Sequence, residues 1–516
     1  MTSVFQSGIH PPCPSNFNLT QYVLSHSLKH STKNALELVT SQGLSTWTYL
    51  ELSNAIIGTA AMLQSIGLKK NDKVLLRLGN TVNFPITFLG CIWAGIVPVP
   101  TSAQLTKNEI NRIYKIINPK LIIAGDKISL PDTTIKILFE QELRPETYID
   151  KLPAELGSPD RLAYIVFTSG TSGDPKGVAH AHRAIWARQM MFKDWYDMGS
   201  EDRVLHSGAF NWTYTLGTGL LDPWTLGATS IIFKDTFNPA KFNKLIENNK
   251  ITIFASSPST YRQIIKYSKL ERTKLLRHCL SAGEKLPKNI KNDWYKKTNS
   301  KVYESFGMSE CSTFISEVPG AINSKSKNSI GKPQRGRKVA VLNELLAPVP
   351  FNQAGRLAIA TSDPGCLINY VGEKKLDGDW LVTNDTVKMS KLGEITFLGR
   401  ADDIINAGGY RVSPIELENL FSLIEGIEYV AAIEVTIKAN TSITAIFYKS
   451  NSYIDERVFK EISCNNLARY KQPRLFVRVH SFPLSGNGKL NRKKLKSDYE
   501  KKIKSDYEKN KKQKLD

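Results

Sequence analysis

The sequence lacks the paired cysteines, long apolar runs and N-terminal apolar segment that mark three large classes of protein. Its six cysteines are scattered between Cys13 and Cys464 without a Cys-x-x-Cys pair, which argues against zinc knuckles and thioredoxin-like sites. No apolar run approaches the roughly 18–20 residues of a membrane-spanning helix. The first ten residues show no basic region followed by an apolar stretch, as a secretory signal would. We therefore expect a cytoplasmic protein with reduced thiols and no transmembrane segment.

Acidic residues are also scarce relative to basic ones, and the formal net charge is +21. Such a charge suggests an anionic partner, for which a nucleic acid or a membrane surface is a candidate. No RNA-recognition signature or paired Cys/His finger accompanies the charge, and an enzyme that handles polyanionic nucleotides would also tolerate it. A basic nucleic-acid-binding protein thus stays an alternative of another class, for which retention on DNA or RNA should depend steeply on salt.

What is present is a chain of 516 residues, 41% of them apolar, which is enough for two or more packed domains. Apolar strand-like runs alternate with amphipathic helical ones, as in the strand 73–79, the helix starting at Asn83 and the strand 96–100. This alternation predicts parallel sheets covered on both faces. From about residue 330 the pattern changes to shorter β-like runs between Gly, Pro and Asp, which predicts a smaller β-rich unit. After residue 403 helices and strands resume for about 110 residues, the best candidate for a separate small domain.

One short stretch, YIVFTSGTSGDPKGV at 164–178, is unusually rich in hydroxyl groups and glycines beside a single lysine. A strand that runs into a Gly-rich turn presents backbone N–H groups to phosphate oxygens, to which hydroxyl donors and the Lys176 ammonium can add. The spacing differs from the Walker pattern, because Pro175 precedes the lysine and Gly177 follows it. The full string T-S-G-T-S-G-x-P-K-G after an apolar strand therefore predicts a phosphate-binding loop of another kind.

Together with further motifs in the same order, this string resembles the AMP-forming adenylating enzymes: acyl- and aryl-CoA synthetases, adenylation domains and beetle luciferases. The matching segments are 168–177, SAGEKLP (281–287), ESFGMSE (304–310), DWLVTND (379–385), GRADDIINAGGYRVSPIELE (399–418) and PLSGNGKLNR (483–492). The resemblance implies an N-terminal AMP-binding domain over 1–400, a mobile α+β C-terminal domain over 401–495 with its hinge at Asp402, and a basic tail over 496–516. We expect the tail to be a frayed, solvated helix. The expected fold class is α/β, with two parallel α/β subdomains and a β-rich subdomain in the large domain.

The resemblance also implies a two-step reaction with ATP, Mg²⁺ and coenzyme A. A carboxylate attacks the α-phosphorus of ATP, which gives acyl-AMP and pyrophosphate, and the acyl group then passes to the thiol of coenzyme A. The first step gathers negative charge and needs cations and donors rather than a covalent nucleophile.

The residues that match the family's motifs are expected to take the family's roles. Lys489, Glu310 and Lys176 would be catalytic, with Lys489 at the substrate carboxylate and α-phosphate, and Glu310 and Thr171 on the magnesium side. The phosphate loop would comprise Thr168, Ser169, Gly170, Thr171, Ser172, Gly173 and Lys176. The adenine side would comprise Gly283, Glu284, Glu304, Ser305, Phe306, Gly307, Met308 and Ser309, and the ribose side Asp385 and Arg400. Coenzyme A would meet Gly408, Gly409, Tyr410, Arg411 and Lys471.

The acyl pocket is expected in 206–219, with Phe210, Trp212, Tyr214 and Gly217 on its walls. This region, with DPWTLGA at 222–228, most resembles medium-chain acyl-CoA and benzoate-CoA ligases, so a medium-chain fatty or aromatic acid is favoured. An enzyme that loads a carrier-protein thiol, or oxidises its adenylate as luciferases do, stays the alternative within the family, and a homodimer stays open. Arg356 stands where many relatives carry Glu, and the sequence offers no reason for it.

Overall fold

The computed structural model describes residues 2–40, 43–144, 152–169, 175–234, 237–320, 329–403, 405–407, 410–438, 441–467, 471–485 and 488–512. Six predicted site residues lie outside these ranges: Gly170, Thr171, Ser172, Gly173, Gly408 and Gly409. The side chains of Ser169, Asp402, Tyr410 and Arg411 also lie outside the described part of the chain.

Helices and strands alternate through the first 300 residues, as the sequence pattern predicts. The α-helices are α1 Leu19–Val23, α2 Tyr49–Ser65, α3 Asn83–Trp93, α4 Lys107–Ile117, α5 Arg183–Ala187, α6 Asp222–Thr225, α7 Phe242–Asn248, α8 Pro258–Tyr267, α9 Lys288–Thr298, α10 Pro414–Phe421, α11 Glu456–Asn466 and α12 Arg492–Lys512. The strands of the first half are β1 Val4–Gln6, β2 Asn34–Thr40, β3 Gly43–Thr48, β4 Lys73–Arg77, β5 Val97–Pro100, β6 Leu121–Ala124, β7 Ile137–Phe139, β8 Leu162–Ser169, β9 Pro175–Ala181, β10 Arg203–His206, β11 Thr229–Phe233, β12 Ile253–Ser256 and β13 His278–Ser281. The strands of the second half are β14 Lys301–Met308, β15 Ser312–Ser316, β16 Lys332–Pro333, β17 Lys338–Leu342, β18 Gly355–Ala360, β19 Asn369–Tyr370, β20 Trp380–Met389, β21 Ile395–Arg400, β22 Ile405–Ala407, β23 Tyr410–Val412, β24 Ile427–Lys438, β25 Thr441–Ser450 and β26 Leu475–Arg478.

Two largely parallel sheets form the body of the N-terminal part. The nine-stranded sheet has the order β16-β15-β14-β13-β12-β10-β11-β2-β3, and its strands from β14 to β2 run parallel. The four-stranded sheet β5-β4-β6-β7 is parallel throughout. The α2 and α3 helices pack between these sheets in one large apolar core. The predicted pair of parallel α/β subdomains is thereby confirmed.

Local sequence explains why the helices begin and end where they do. The α4 helix, for example, begins after Thr106, whose hydroxyl accepts from the Glu109 N–H while the Glu109 carboxylate accepts from the Thr106 N–H. It ends at Asn118 with φ of +47°, the left-handed conformation that Asn tolerates. Its buried face consists of Ile110, Ile113 and Ile117, at the spacing of one side of a helix.

Antiparallel sheets build the remainder. The five-stranded sheet β1-β17-β18-β20-β21 is the predicted β-rich unit, with the N-terminal β1 as its edge, and β19-β9-β8 forms a smaller sheet beside the parallel one. After residue 404 the β22–β23 hairpin and the sheet β24-β25-β26 pack with α10 and α11 around a core of their own. The α12 helix packs its first turns on that sheet through Leu495 and Tyr499. The domain boundaries themselves stay predictions.

Candidate active site

A cleft of about 960 Å³ lies where the carboxyl ends of β13 and β14, the β20–β21 hairpin and the loop before α12 meet. Open α/β sheets bind their ligands outside the carboxyl ends of parallel strands, so this is the expected place for a site. Most of the predicted residues lie on its wall: Thr168, Lys176, Trp212, Gly283, Glu284, Glu304, Ser305, Phe306, Gly307, Met308, Ser309, Glu310, Asp385, Arg400 and Lys489. Segments more than 300 residues apart in sequence therefore share one space.

The phosphate side of the cleft is formed by the antiparallel pair β8 and β9, in which Thr168 faces Lys176 across the ladder. The Lys176 ammonium lies 3.1 Å from a Glu373 carboxylate oxygen and 4.9 Å from the centre of the Tyr370 ring. About half of the Lys176 side chain is exposed, so the pair with Glu373 is weak. Lys176 can therefore exchange this carboxylate for a phosphate without a large loss.

Glu310 follows β14 on the same side. Its carboxylate accepts a hydrogen bond of 3.0 Å from the Tyr370 hydroxyl. Burial and the nearby Glu310 charge raise the pKa of Tyr370, so the tyrosine remains a donor. Within the described ranges, no lysine or arginine forms an ion pair with Glu310. A carboxylate with free oxygen sites fits a hard cation such as Mg²⁺.

The adenine side contains a buried carboxylate that the protein itself neutralises. Glu304 accepts from the Lys285 ammonium at 2.8 Å and from the Leu286 N–H at 2.8 Å, and Lys291 lies 3.7 Å away. These cations outweigh desolvation and lower the pKa of Glu304. The Glu304 carboxylate is therefore already paired within the cleft wall.

Two other residues of the adenine side face the cleft more openly. Phe306 is half-buried and packs edge-on against Phe314, with ring centres 5.6 Å apart. Gly283 has φ of +96°, and a Cβ atom there would lie 3.1 Å from the Trp212 ring. Only glycine suits both this backbone conformation and the close approach of the indole.

The residues predicted for the ribose side lie on the β20–β21 hairpin, whose register places Asp385 opposite Arg400. Burial raises the pKa of Asp385 although Arg400 and the Thr383 hydrogen bond act to lower it. A carboxylate in this position can accept from two adjacent hydroxyl groups. Arg356 lies behind the hairpin, where its guanidinium donates to the Thr383 carbonyl and the Asn384 amide oxygen. The unusual arginine therefore supports the part of β20 that carries Asp385.

Lys489 enters the cleft from the C-terminal part on a tight turn. The Ser485 N–H donates to the Lys489 carbonyl at 2.7 Å, and Gly488 has φ of +77°. The Lys489 side chain is exposed to solvent in the cleft, but protein surrounds it on most sides. The resulting desolvation lowers the pKa of Lys489, although the negative charges of Glu284 and Asp385 act to raise it. Glu284 also accepts from the Leu490 N–H at 3.3 Å, which ties the turn to the N-terminal part.

Several residues of the cleft and its rim were not identified from the sequence. Tyr370 is one. At the rim, Lys266 of α8 forms an ion pair of 2.7 Å with Glu428 of β24, and the Arg262 guanidinium lies 4.4 Å from the centre of the Tyr429 ring. These contacts hold the C-terminal part against the cleft. No local motif marks them, because each joins chain segments more than 150 residues apart.

Four of the predicted residues that the structure describes with their side chains do not line this cleft. Phe210 and Tyr214 lie in the apolar core, where the Tyr214 hydroxyl donates to the Leu280 carbonyl. Gly217 lines a smaller cavity beside the cleft. Lys471 binds the Glu416 carboxylate at 2.7 Å in the C-terminal part. Any contact of Lys471 with coenzyme A stays a prediction.

No helix in the described ranges is both long and apolar enough to cross a bilayer.

The family model described as "AMP-binding enzyme" matches residues 26–365. The rat acyl-coenzyme A synthetase ACSM4, mitochondrial, is 27% identical, over 94% of this chain and 91% of the relative. The uncharacterized acyl-CoA ligase YtcI of Bacillus subtilis is 25% identical, over 88% of this chain and 90% of its own length.

Solved structures share the fold over nearly the whole chain. The anthranilate CoA ligase AuaEII in complex with anthranoyl-AMP superposes with a TM-score of 0.82 at 23% identity, covering 94% of this chain and 98% of its own. A benzoate CoA ligase from Burkholderia xenovorans LB400 gives a TM-score of 0.81 at 24% identity. The match covers 93% of this chain and 100% of the ligase chain. The fold class expected from the sequence is confirmed.

Proposed function

Because the chain belongs to the AMP-binding enzyme family, we propose that it is an ATP-dependent ligase that joins a carboxylic acid to coenzyme A. The observation that carries the proposal is the shared cleft. A phosphate-side lysine, a free carboxylate, a ribose-side carboxylate and a lysine from the C-terminal part all line one volume that can hold a nucleotide and a small acid.

In the first half-reaction an oxygen of the substrate carboxylate attacks the α-phosphorus of ATP, and the bond from that phosphorus to pyrophosphate breaks. Thr168 and Lys176 hold the outer phosphates, and Asp385 accepts from the ribose hydroxyls. Lys489 lies between the two reactants and offsets the negative charge that gathers at the α-phosphate. Glu310 would hold a magnesium ion, which would supply further positive charge for the phosphates.

In the second half-reaction the sulfur of coenzyme A attacks the acyl carbonyl, and AMP leaves. The rim contacts of Lys266 and Arg262 keep Lys489 in the cleft, so this arrangement suits adenylation. We propose that the C-terminal part rotates about Asp402 between the steps, which would withdraw Lys489 and bring the segment around Tyr410 to the cleft.

The decisive experiment is a panel of carboxylic acids assayed for pyrophosphate release with ATP and Mg²⁺, with and without coenzyme A. We expect AMP and an acyl thioester only when coenzyme A is present. Pyrophosphate release without any thioester would point to a carrier-protein acceptor instead. If no acid releases pyrophosphate from a protein that binds ATP, the ligase proposal is wrong.

A cytoplasmic location and a homodimer are also proposals. The free cysteines support the first, while a curated relative is named as mitochondrial. Fractionation with compartment markers tests the location, and sedimentation velocity tests the oligomeric state.

A further inference from the structure

A second, smaller space of about 30 Å³ lies beside the cleft, and we refer to it as the side cavity. Thr213 and Ser309 line both spaces, so the side cavity begins where the cleft ends. Its other lining residues with polar groups are Tyr164, His180, Arg188 and Ser312, and Gly217 also lines it. A group that extends from the reacting carboxyl past Ser309 would enter this cavity.

The far end of the side cavity is closed by a buried ion pair. The Arg188 guanidinium donates to both Asp222 carboxylate oxygens, at 2.8 and 2.6 Å, and to the Tyr196 hydroxyl at 3.1 Å. A Cβ atom at Gly217 would lie 2.1 Å from the guanidinium, so the absence of a side chain there gives Arg188 its place. Since Asp222 already balances the arginine, this end offers no unpaired cation to a second carboxylate. The cavity also cannot be extended at this end without breaking the ion pair between Arg188 and Asp222.

His180 lies on one wall of the cavity, and one of its ring nitrogens is buried without a hydrogen-bond partner among the described residues. The His180 Nε2 atom lies 2.8 Å from the Ser309 carbonyl oxygen, which can only accept, so Nε2 carries the proton. Burial lowers the pKa of His180 to about 4, so the ring is neutral and Nδ1 is an acceptor. His180 is only 3% exposed, and Nδ1 has no donor among the residues that the structure describes. Stacking on Tyr164, with ring centres 4.9 Å apart, fixes the ring.

We propose that His180 determines specificity by accepting a hydrogen bond from a hydroxyl or amino group on the acid. The proposal rests on the ligase function above and narrows its substrate to a short or single-ring acid that carries such a donor. One buried water needs a cavity of about 10–15 Å³. The side cavity, at about 30 Å³, therefore holds only a group of a few heavy atoms. A saturated chain of six or more carbons would have to displace the Arg188–Asp222 pair and would leave Nδ1 unpaired.

The test compares matched acids by pyrophosphate release with the full-length protein. Benzoate is paired with its hydroxy and amino derivatives at each ring position, and propanoate with 3-hydroxypropanoate, while hexanoate and octanoate represent plain chains. We expect the best acid to carry the donor, with kcat/KM about 10-fold to 100-fold above its unsubstituted partner, as an otherwise unpaired buried acceptor requires.

The variant His180→Leu removes the acceptor, and His180→Asn retains one near the position of Nδ1. The readout is the ratio of kcat/KM for the donor acid to that for its partner. We expect the ratio to fall about 10-fold or more in His180→Leu and to recover in part in His180→Asn. A fall of both rates with an unchanged ratio would mean that His180 only supports the fold, and the proposal would be overturned. A preference for octanoate would overturn it too, yet leave the ligase function standing, whereas the absence of any pyrophosphate release would refute both.

Discussion

Replacement of Lys489 by alanine separates the two half-reactions. The ammonium forms no hydrogen bond or close ion pair among the described residues, and its electrostatic neighbours are Glu284, Asp385 and Arg400. Loss of one preorganised donor to a developing oxyanion lowers a rate by about 10²- to 10³-fold. We therefore expect Lys489→Ala to slow acyl-AMP formation by that factor, and to spare thioester formation from supplied acyl-AMP.

The same surroundings predict the effect on stability. The folded protein lowers the pKa of Lys489, so folding disfavours its cationic form relative to the unfolded chain. Removal of the charge should leave the melting temperature unchanged or slightly higher at neutral pH. Lys494→Ala, an exposed neighbour five residues along the chain, is the matched control and should keep both half-reactions.

The sign of the pH dependence follows as well. Adenylation needs the cation, and a lowered pKa means that the cation is lost as pH rises through a value below the usual 10.5. We expect kcat/KM for the acid to decline on the alkaline side, and Lys489→Arg to move that decline to higher pH. Single-turnover formation of acyl-AMP measures the rate directly. Equal loss of both half-reactions in Lys489→Ala, or a clear loss of stability, would refute the assigned role.

Three further changes test the arrangement of the cleft. Lys266→Glu should weaken the rim contact and slow adenylation about 2-fold to 5-fold, because an exposed ion pair contributes up to about 1 kcal/mol. Adding Glu428→Lys to the same chain should restore the single-turnover rate. Failure of this rescue would show that the ion pair does not affect adenylation. Tyr370→Phe removes the hydrogen bond to Glu310 and should raise the Mg²⁺ concentration needed for half-maximal pyrophosphate release by several-fold, whereas an unchanged Mg²⁺ titration would exclude that positioning role. Asp402→Pro should cripple thioester formation more than adenylation, and an unaltered response to coenzyme A would speak against a hinge there.

Much of the parallel architecture was predictable because it depends on neighbours in sequence. The order β4–α3–β5 can be read from apolar runs and turn residues, and the structure has each of these elements at the expected place. The cleft residues in motifs were also predictable, since glycines, hydroxyls and charged groups cluster there. The pocket residues were less so, because a buried aromatic residue has the same local pattern in a core as on a cavity wall. For that reason Phe210 and Tyr214 were predicted to line the acyl pocket, whereas the structure has them in the core.

The sequence by itself determined which chemical groups are available, from the hydroxyl- and glycine-rich turn to the lysine near the C-terminal end, and which segments form strands and helices. Only the tertiary structure decided which of these groups meet. It pairs β1 with β17 across more than 330 residues, places the Tyr370 hydroxyl on Glu310, and sets Arg356 behind Asn384. It also buries the His180 Nδ1 atom without a hydrogen-bond partner among the described residues. Local patterns arise from backbone geometry and periodic burial, whereas such contacts depend on how whole sheets pack, and no short stretch of sequence encodes that packing.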